Sequence, residues 1–274
     1  MTRTAAILCA LTLLALGRAT PAGELGKAAV FDLFSQGKEA FRQANAKVTT
    51  DPAAAKDLYR KAALRFERIA REGGVRNGKL LYNIANIHFR LGDIGRAILY
   101  YRRAQSLIPN DANLRQNLAY ARARRTDKVD VTERTQVLTT LFFWHYDLSA
   151  RTRLVVFVVV FGLVWALAAV RLFRRAAAPR WSIVVAAVVA ALFFGSLLTD
   201  TLWGNEQAGV VVAPEVVARK GDATTYQPSF TEPLHAGTEF TLLEARTDWL
   251  HIELADGRRC WLPRKTVGLV DSIR

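Results

Sequence analysis

Two long apolar runs constrain the fold of this 274-residue chain more than any other feature. The first covers residues 154–173 and is interrupted only by Arg171; the second covers residues 181–203, with Asp200 near its far end as its single charge. Each run is close to the roughly 20 residues that an α-helix needs to cross the hydrocarbon layer of a membrane. A soluble helix normally keeps a polar face, and neither run has one. The sequence therefore predicts two transmembrane helices with these bounds.

Arginines mark the junction between the two runs. The stretch RLFRRAAAPR holds four of them and no acid, at Arg171, Arg174, Arg175 and Arg180. Because short loops rich in Lys and Arg stay cytoplasmic, the loop at residues 174–180 is predicted to lie inside and both flanking segments outside. Arg151 and Arg153 precede the first run, so charge alone leaves the orientation open.

The N-terminus indicates which orientation applies. Arg3 is followed by an apolar stretch at residues 5–16 and then by small residues suited to peptidase cleavage, which is the layout of a secretory signal peptide over residues 1–22. An uncleaved anchor is the alternative, because Arg18 interrupts the small residues. In either case we expect export of the chain after residue 23. This predicts a multi-pass protein of the bacterial inner (plasma) membrane with both soluble domains extracytoplasmic.

Charge is distributed unevenly along the chain. The net charge is +14, but residues 23–136 hold 22 Lys and Arg against 12 Asp and Glu, whereas residues 204–274 hold 8 against 10. A basic domain can indicate that the protein binds nucleic acid. We expect no nucleic-acid partner, because exported domains rarely meet one and the cations are spread along helices. A solvated helical face or attraction to anionic lipid headgroups explains the charge better.

Residues 78–111 read GKLLYNIANIHFRLGDIGRAILYYRRAQSLIPND. Apolar and small residues recur at helical spacing at residues 80–91 and 94–107, which predicts a helix-turn-helix hairpin. Its length is the 34-residue period of a tetratricopeptide repeat. The small, aromatic and turn positions of that repeat are occupied by Ala85, Gly92, Ala97, Tyr101, Ala104 and Pro109.

Neighbouring segments repeat this pattern. Asn117 lies 34 residues beyond Asn83, and Ala62 and Phe66 have the spacing of Ala97 and Tyr101. A single hairpin cannot bury its apolar face alone, so we expect an array of five helices, about two and a half repeats, at residues 29–125. The segment at residues 45–57 makes the first repeat longer than standard.

Such an array usually binds a partner peptide or domain in its concave groove; a purely structural spacer is the alternative. The first helices supply the groove-facing candidates Asn83, Asn86, Arg90 and Asn117. Asn83 and Asn117 would favour hydrogen bonds to the backbone of an extended peptide, whereas Arg90 would favour an acidic peptide.

A linker at residues 126–150 joins the array to the first span. Its aromatic group at residues 141–146 suits the headgroup region of a membrane, although the same rings could cap the last repeat. His145 has no partner at ligand spacing and is interpreted as a bystander. In the second span, Ala187, Ala191 and Gly195 recur every four residues and predict close packing through that face.

From residue 209 the pattern changes to short β-type runs separated by Gly, Pro and Asp. The runs are at residues 210–212, 215–218, 239–245, 249–254 and 260–262. Asp256-Gly257 predicts a hairpin turn between the last two. Residues 209–272 are therefore expected to form a small all-β barrel. This region resembles a bacterial SH3-like domain with Trp249 and Trp261 in its core, which implies binding of peptides or cell-wall fragments; a structural module is the alternative.

No catalytic constellation is visible, so we expect no enzyme, no cofactor and no metal. The four histidines are spread over three regions without metal-ligand spacing, at His88, His145, His235 and His251. Cys260 would be the only cysteine of the mature chain, so it cannot form an internal disulfide, and it lacks a local base. Nucleophile-elbow and phosphate-loop motifs are missing.

In order along the chain, these features predict a multidomain membrane protein: an all-α tetratricopeptide array, two transmembrane helices and a small C-terminal SH3-like barrel. With YNIANIHFRLGDIGRAILYYRRA, PNDANLRQNLAYARAR and LFFWHYDLS as the carrying segments, the chain resembles the BatE-like tetratricopeptide proteins of the Bacteroides aerotolerance operon group. The resemblance implies a non-enzymatic envelope scaffold working beside von Willebrand factor A-type membrane proteins and a MoxR-type ATPase in envelope maintenance or stress tolerance. An envelope sensor whose SH3-like domain binds a cell-wall peptide or glycan is the alternative.

Overall fold

The computed structural model describes residues 25–127, 141–146, 148, 150–173, 180–203 and 207–270. The predicted signal peptide, Arg174, Arg175 and most of the predicted linker lie outside the described residues.

Five helices form the N-terminal array, as the periodicity predicted. They are α1 (Lys27–Lys47), α2 (Pro52–Glu72), α3 (Gly78–Leu91), α4 (Ile94–Leu107) and α5 (Ala112–Ala123), and each packs against the next. Four of the helices begin with a polar capping residue whose side chain accepts hydrogen bonds from backbone N–H groups of the first turn. These residues are Asp51, Asn77, Asp93 and Asp111.

The long first repeat does not contain a long loop. α1 and α2 are 21 residues each, so helix takes up most of the segment at residues 45–57, and only residues 48–51 connect the two. Gly37 makes their close contact feasible, since a Cβ there would lie 2.5 Å from the Phe66 ring.

The predicted repeat-packing residues lie at helix contacts and helix ends. Ala85, Ala97, Tyr101 and Ala104 are buried between helices. Gly92 ends α3 with φ +80°, a left-handed conformation that glycine adopts without steric cost. Pro109 follows directly after the C-terminal cap of α4.

Two apolar helices pair as a hairpin after a single turn of helix, α6 (Phe143–Tyr146). They are α7 (Ala150–Phe173) and α8 (Arg180–Trp203). Within them, Ala150–Leu172 and Trp181–Asp200 are long and apolar enough to cross a membrane, with mean hydropathies of 2.6 and 2.4.

The prediction of which α8 residues pack against α7 is wrong by one position. Ala186, Ala190 and Ser196 are buried against α7, whereas Ala187 and Ala191 are exposed. A Cβ atom built onto Gly195 would have no atom within 4 Å, so this glycine does not mediate close contact between the helix backbones.

Polar contacts explain this choice of face. Arg153 on α7 is only 5% exposed and donates hydrogen bonds to Asp200 Oδ2 at 2.5 Å and to Ser196 Oγ at 2.7 Å. It also donates to His145 Nδ1 at 2.9 Å, so His145 is part of this cluster rather than a bystander. A buried guanidinium needs such partners, which fixes the rotation of α8 relative to α7.

Seven strands follow the hairpin and form the β-domain (residues 207–270). They are β1 (Ala208–Val211), β2 (Glu215–Val216), β3 (Leu234–His235), β4 (Glu239–Ala245), β5 (Trp249–Leu254), β6 (Arg259–Pro263) and β7 (Val267–Leu269). The five-stranded antiparallel sheet has the order β6-β5-β4-β1-β7, and β2 pairs with β3 in a second sheet. Gly257, with φ +85°, turns the β5–β6 hairpin at the predicted Asp-Gly.

Of the two tryptophans predicted for the core, Trp261 is buried and Trp249 is half-buried. One face of β5 buries Leu250, Ile252 and Leu254 in the core of the β-domain, and strand alternation places Trp249 half-buried on the other face. Trp261 is covered on that same outer face, where its ring stacks on His251 at 4.8 Å.

The β-domain packs directly against the array. Val210 belongs to the array's hydrophobic core, and Val212 and Val270 pack against it. Two glycines allow this close approach. A Cβ at Gly95 of α4 would lie 2.8 Å from the carbonyl oxygen of Val211, and a Cβ at Gly268 would lie 2.3 Å from Leu99.

An ion cluster joins the same two domains. Arg122 donates two hydrogen bonds of 2.7 Å to the Glu239 carboxylate. Arg125 and Arg102 lie 3.3 and 3.4 Å from it. Burial alone would raise the pKa of Glu239, but the three arginines hold it below its ordinary value.

Asp127 makes a second polar contact across this junction. Its carboxylate accepts hydrogen bonds from the His235 backbone N–H and the Thr238 hydroxyl, both at 2.6 Å. Arg103 donates to the Leu269 carbonyl at 2.7 Å.

Replacing Glu239 with glutamine tests the docked arrangement. Glu239→Gln keeps the side-chain shape but removes the charge, and we expect a loss of about 2 kcal/mol in the free energy of unfolding, since hydrogen bonds to charged groups contribute about 1.5–3 kcal/mol. Because the pKa of Glu239 is lowered, its contribution is present above the ordinary glutamate pKa and is lost as pH falls through the lowered value. Urea unfolding of the full chain in detergent micelles, followed by circular dichroism, measures both effects.

The matched control is Glu232→Gln, an exposed carboxylate of the same domain. Equal stability and equal acid sensitivity in both variants would contradict a stabilising role for the Glu239 cluster.

Candidate functional site

A groove opens on the side of the array formed by the first helices of the repeats. It has a volume of about 500 Å³. The lining residues come from α1, α3, α4 and α5, and they are Phe41, Tyr82, Asn86, Phe89, Arg90, Tyr101, Asn117 and Tyr120. The β-domain packs against α4, so it leaves this concave groove open.

Hydrogen bonds fix the two asparagines at the floor of the groove. The Tyr101 hydroxyl donates to Asn86 Oδ1 at 2.6 Å. Asn117 Nδ2 donates to the Tyr82 hydroxyl at 2.8 Å and to Asn86 Oδ1 at 3.1 Å. The network orients both amides, and each keeps a second polar atom that can pair with the backbone of a bound peptide.

Aromatic rings and arginines form the walls. Phe89 and Tyr120 lie 5.5 Å apart, and Arg124 lies over the Tyr120 ring at 4.9 Å. Arg90 is exposed at the rim. No carboxylate lines the groove in the described part of the chain. An aromatic groove with cations at its edge suits a peptide that carries both apolar and acidic residues.

Three of the four predicted partner-binding residues line this groove, namely Asn86, Arg90 and Asn117; Asn83 is half-buried and does not. α3 presents to the groove the face that carries Tyr82 and Asn86, and Asn83 is turned about 100° away from Tyr82. Phe41, Tyr82, Phe89 and Tyr120 were not predicted from the sequence as groove residues. The spacing of Tyr82, Asn86 and Phe89, at positions 0, 4 and 7 of one helix face, would have indicated two of them.

A second polar cluster lies on the opposite side of the array. His88 is only 6% exposed, and its Nε2 lies 2.8 Å from Glu67 Oε1. Its Nδ1 is 3.6 Å from Asp93 Oδ2, and its ring stacks on Tyr100 at 5.5 Å. Burial alone would lower the pKa of His88, but the carboxylates of Asp93 and Glu67 raise it above its ordinary value.

The remaining candidate side chains, Cys260 and His235, have structural roles. Cys260 is buried, and burial raises the pKa of its thiol to about 12, which leaves it protonated and unreactive near neutral pH. His235 pairs with Asp127 at 2.7 Å. Across the described ranges, no group of three or more His, Cys, Asp and Glu side chains is arranged to hold a metal ion.

These observations define a helical-repeat protein with an open groove and a docked β-domain. The family model of the tetratricopeptide repeat matches residues 78–111, so the chain contains a repeat of the class that generally mediates protein–protein interaction. No curated protein and no solved structure matches the chain.

The His88 cluster predicts a pH dependence of stability. Because the folded-state pKa of His88 is raised above 6.5, its contribution is fully present below pH 6.5 and is lost as pH rises through the raised value. His88→Gln should lose this dependence. Thermal unfolding of both proteins from below pH 6.5 into the alkaline range measures it.

If the stability of wild type and His88→Gln changed with pH in the same way, this assignment would be contradicted.

The charged and titratable groups that face His88 from the helices around it are Glu67, Arg71, Asp93, Arg96 and Tyr100. Their carboxylates stay ionised across this range, because the pKa values of Glu67 and Asp93 are lowered.

Proposed function

We propose that this chain is a non-enzymatic scaffold, held at a membrane by two helices, whose array binds a peptide of a protein partner in the concave groove. The observation that carries the proposal is the composition of that groove: aromatic walls, oriented asparagine amides and Arg90, with no lining carboxylate among the described residues. This chemistry favours an extended peptide with acidic and apolar side chains.

The membrane attachment is supported by the apolar hairpin and by the docking of the two soluble domains. Domains that touch must lie on the same side of a membrane, and two spans between them return the chain to that side. Arg153 is paired with Asp200, so its charge is neutralised within the hairpin. The segment at residues 174–180 holds three arginines and no acid, which favours a cytoplasmic loop and extracytoplasmic domains.

The resemblance to BatE-like proteins supports a place beside von Willebrand factor A-type membrane proteins and a MoxR-type ATPase, in envelope maintenance or stress tolerance. A second candidate is an envelope sensor whose β-domain, as an SH3-like module, binds a cell-wall peptide or glycan. One observation favours it: Trp249 and His251 lie half-buried on the outer face of the sheet, beside the covered Trp261, where their rings are partly accessible to a ligand.

Photo-crosslinking tests the groove. A photoreactive residue at Tyr120, whose side chain is 52% exposed beside the groove, should form an adduct with a protein partner in native membranes. Arg90→Glu should reduce that adduct several-fold, because it places a like charge against an acidic peptide. Immunoblotting of the tagged chain measures the yield.

The matched control position is Tyr226 of the β-domain, which is 49% exposed. Adducts at Tyr226 alone would favour the sensor. Adducts at Tyr120 that persist undiminished in Arg90→Glu would remove the acidic-peptide proposal.

A topology map tests the membrane arrangement. A reporter active only outside the cytoplasm is fused in turn after Arg125, Arg175 and Arg274. We expect activity at the first and last positions only, because the docked domains must share one side. Activity at Arg175 alone would place both domains in the cytoplasm and contradict the predicted signal peptide.

A further inference from the structure

A continuous furrow runs along the seam between the array and the β-domain. One cavity of about 690 Å³ lies between α2, α3 and α4 and the β-domain residues Val212, Val267 and Gly268. A second, of about 460 Å³, lies between the α3–α4 turn and the β-domain residues 212–214, 235 and 236. Both are lined by Asp93, Arg96 and Val212, so the two cavities adjoin. We call this composite cleft the furrow.

The furrow carries more positive charge than its own carboxylates balance. Glu67 is paired with His88, and Asp93 is paired with Arg96 at 2.7 Å. Arg60 also lines the furrow but pairs with Asp57, and Arg124 donates to the Tyr120 hydroxyl of the concave groove. Two further cations, Arg71 and Lys265, have no carboxylate within ion-pair distance in the described ranges. An anionic group entering here would meet cations that are still available.

His88 adds positive charge to the wall without reaching the open space of the furrow. It is more than nine-tenths buried, and its Nδ1 is enclosed by protein, 3.6 Å from Asp93 Oδ2. Its Nε2 lies 2.8 Å from Glu67 Oε1, so the protonated ring offsets part of the charge of both carboxylates. Glu67 and Asp93 therefore repel an anionic group in the furrow less than two unpaired carboxylates would.

Apolar side chains separate these polar positions. Leu64, which is 63% exposed, lines the furrow together with Leu99 and Val267. A uniformly charged polymer would leave these surfaces uncovered and would meet Glu67 and Asp93. A chain in which acidic and apolar residues alternate matches both kinds of position.

We propose that the furrow is a second binding site, which takes an extended acidic peptide segment of a protein partner with apolar residues between its carboxylates. The carboxylates pair with Arg71 and Lys265, and the apolar residues cover Leu64 and Leu99. Since its walls belong to two domains, the site exists only while the β-domain is docked. Binding therefore stabilises the docked arrangement.

Fluorescence anisotropy of a short synthetic peptide of alternating Glu and Leu, added to the full chain in detergent micelles, tests the furrow. We expect binding that weakens with salt, and Arg71→Glu with Lys265→Glu should weaken it about tenfold or more, because like charges placed in contact cost at least the roughly 1.4 kcal/mol that a tenfold change requires. Both residues are exposed, so the reversals leave the core intact.

The matched control is Lys61→Glu with Lys220→Glu, which changes the net charge equally at exposed sites outside the furrow. This pair should bind like wild type. An equal loss in the control pair would reduce the effect to net charge and overturn the furrow, as would equal binding of a Lys–Leu peptide.

Arg90→Glu separates the furrow from the concave groove. Loss of binding in Arg71→Glu with Lys265→Glu, but not in Arg90→Glu, supports the furrow. The reverse result assigns the acidic peptide to the groove; it overturns the furrow and leaves the proposed function intact. Unchanged binding in both variants overturns the furrow as well.

Discussion

The docking of the β-domain against α4 is the contact on which the rest of the structure depends. Val210 enters the core of the array, Gly95 and Gly268 let the backbones approach, and the Glu239 carboxylate is held by three arginines of the array. An array of two and a half repeats has few neighbours to cover its ends. The β-domain adds cover along α4, so the array and the C-terminal domain are one packed unit. Deleting the β-domain would expose the apolar face of α4, so the stability of the array depends on the β-domain.

The same contact constrains the membrane arrangement proposed for the hairpin. Two domains in contact require an even number of crossings between them. The orientation was ambiguous from charge because Arg153 precedes the first apolar run. Its pairing with Asp200 weakens its topology signal, which supports the proposed orientation. The ion pair also sets the packing face of α8.

Local patterns predicted much of the fold and part of the site. Helical periodicity located α3 and α4, and the Asp-Gly pair located the β5–β6 turn. Short elements escaped detection: β3 and β7 have two and three residues, too few for alternation to be visible. In the groove, Asn86 and Asn117 were predicted as partner-binding residues from their residue type and their positions on the first helices of the repeats. Tyr120 was missed because only the packing of α5 beside α3 shows that it shares their face.

The sequence by itself determined where helices and strands form, because periodicity and capping residues act over a few neighbours. It also determined that two helices are apolar enough to span a membrane. Tertiary structure alone decided the docking of the two soluble domains. The partners Arg122 and Glu239 are more than a hundred residues apart, and nothing in either local sequence marks them as a pair. The furrow follows from the same contact, since a site with walls from two domains has no signature in either sequence segment.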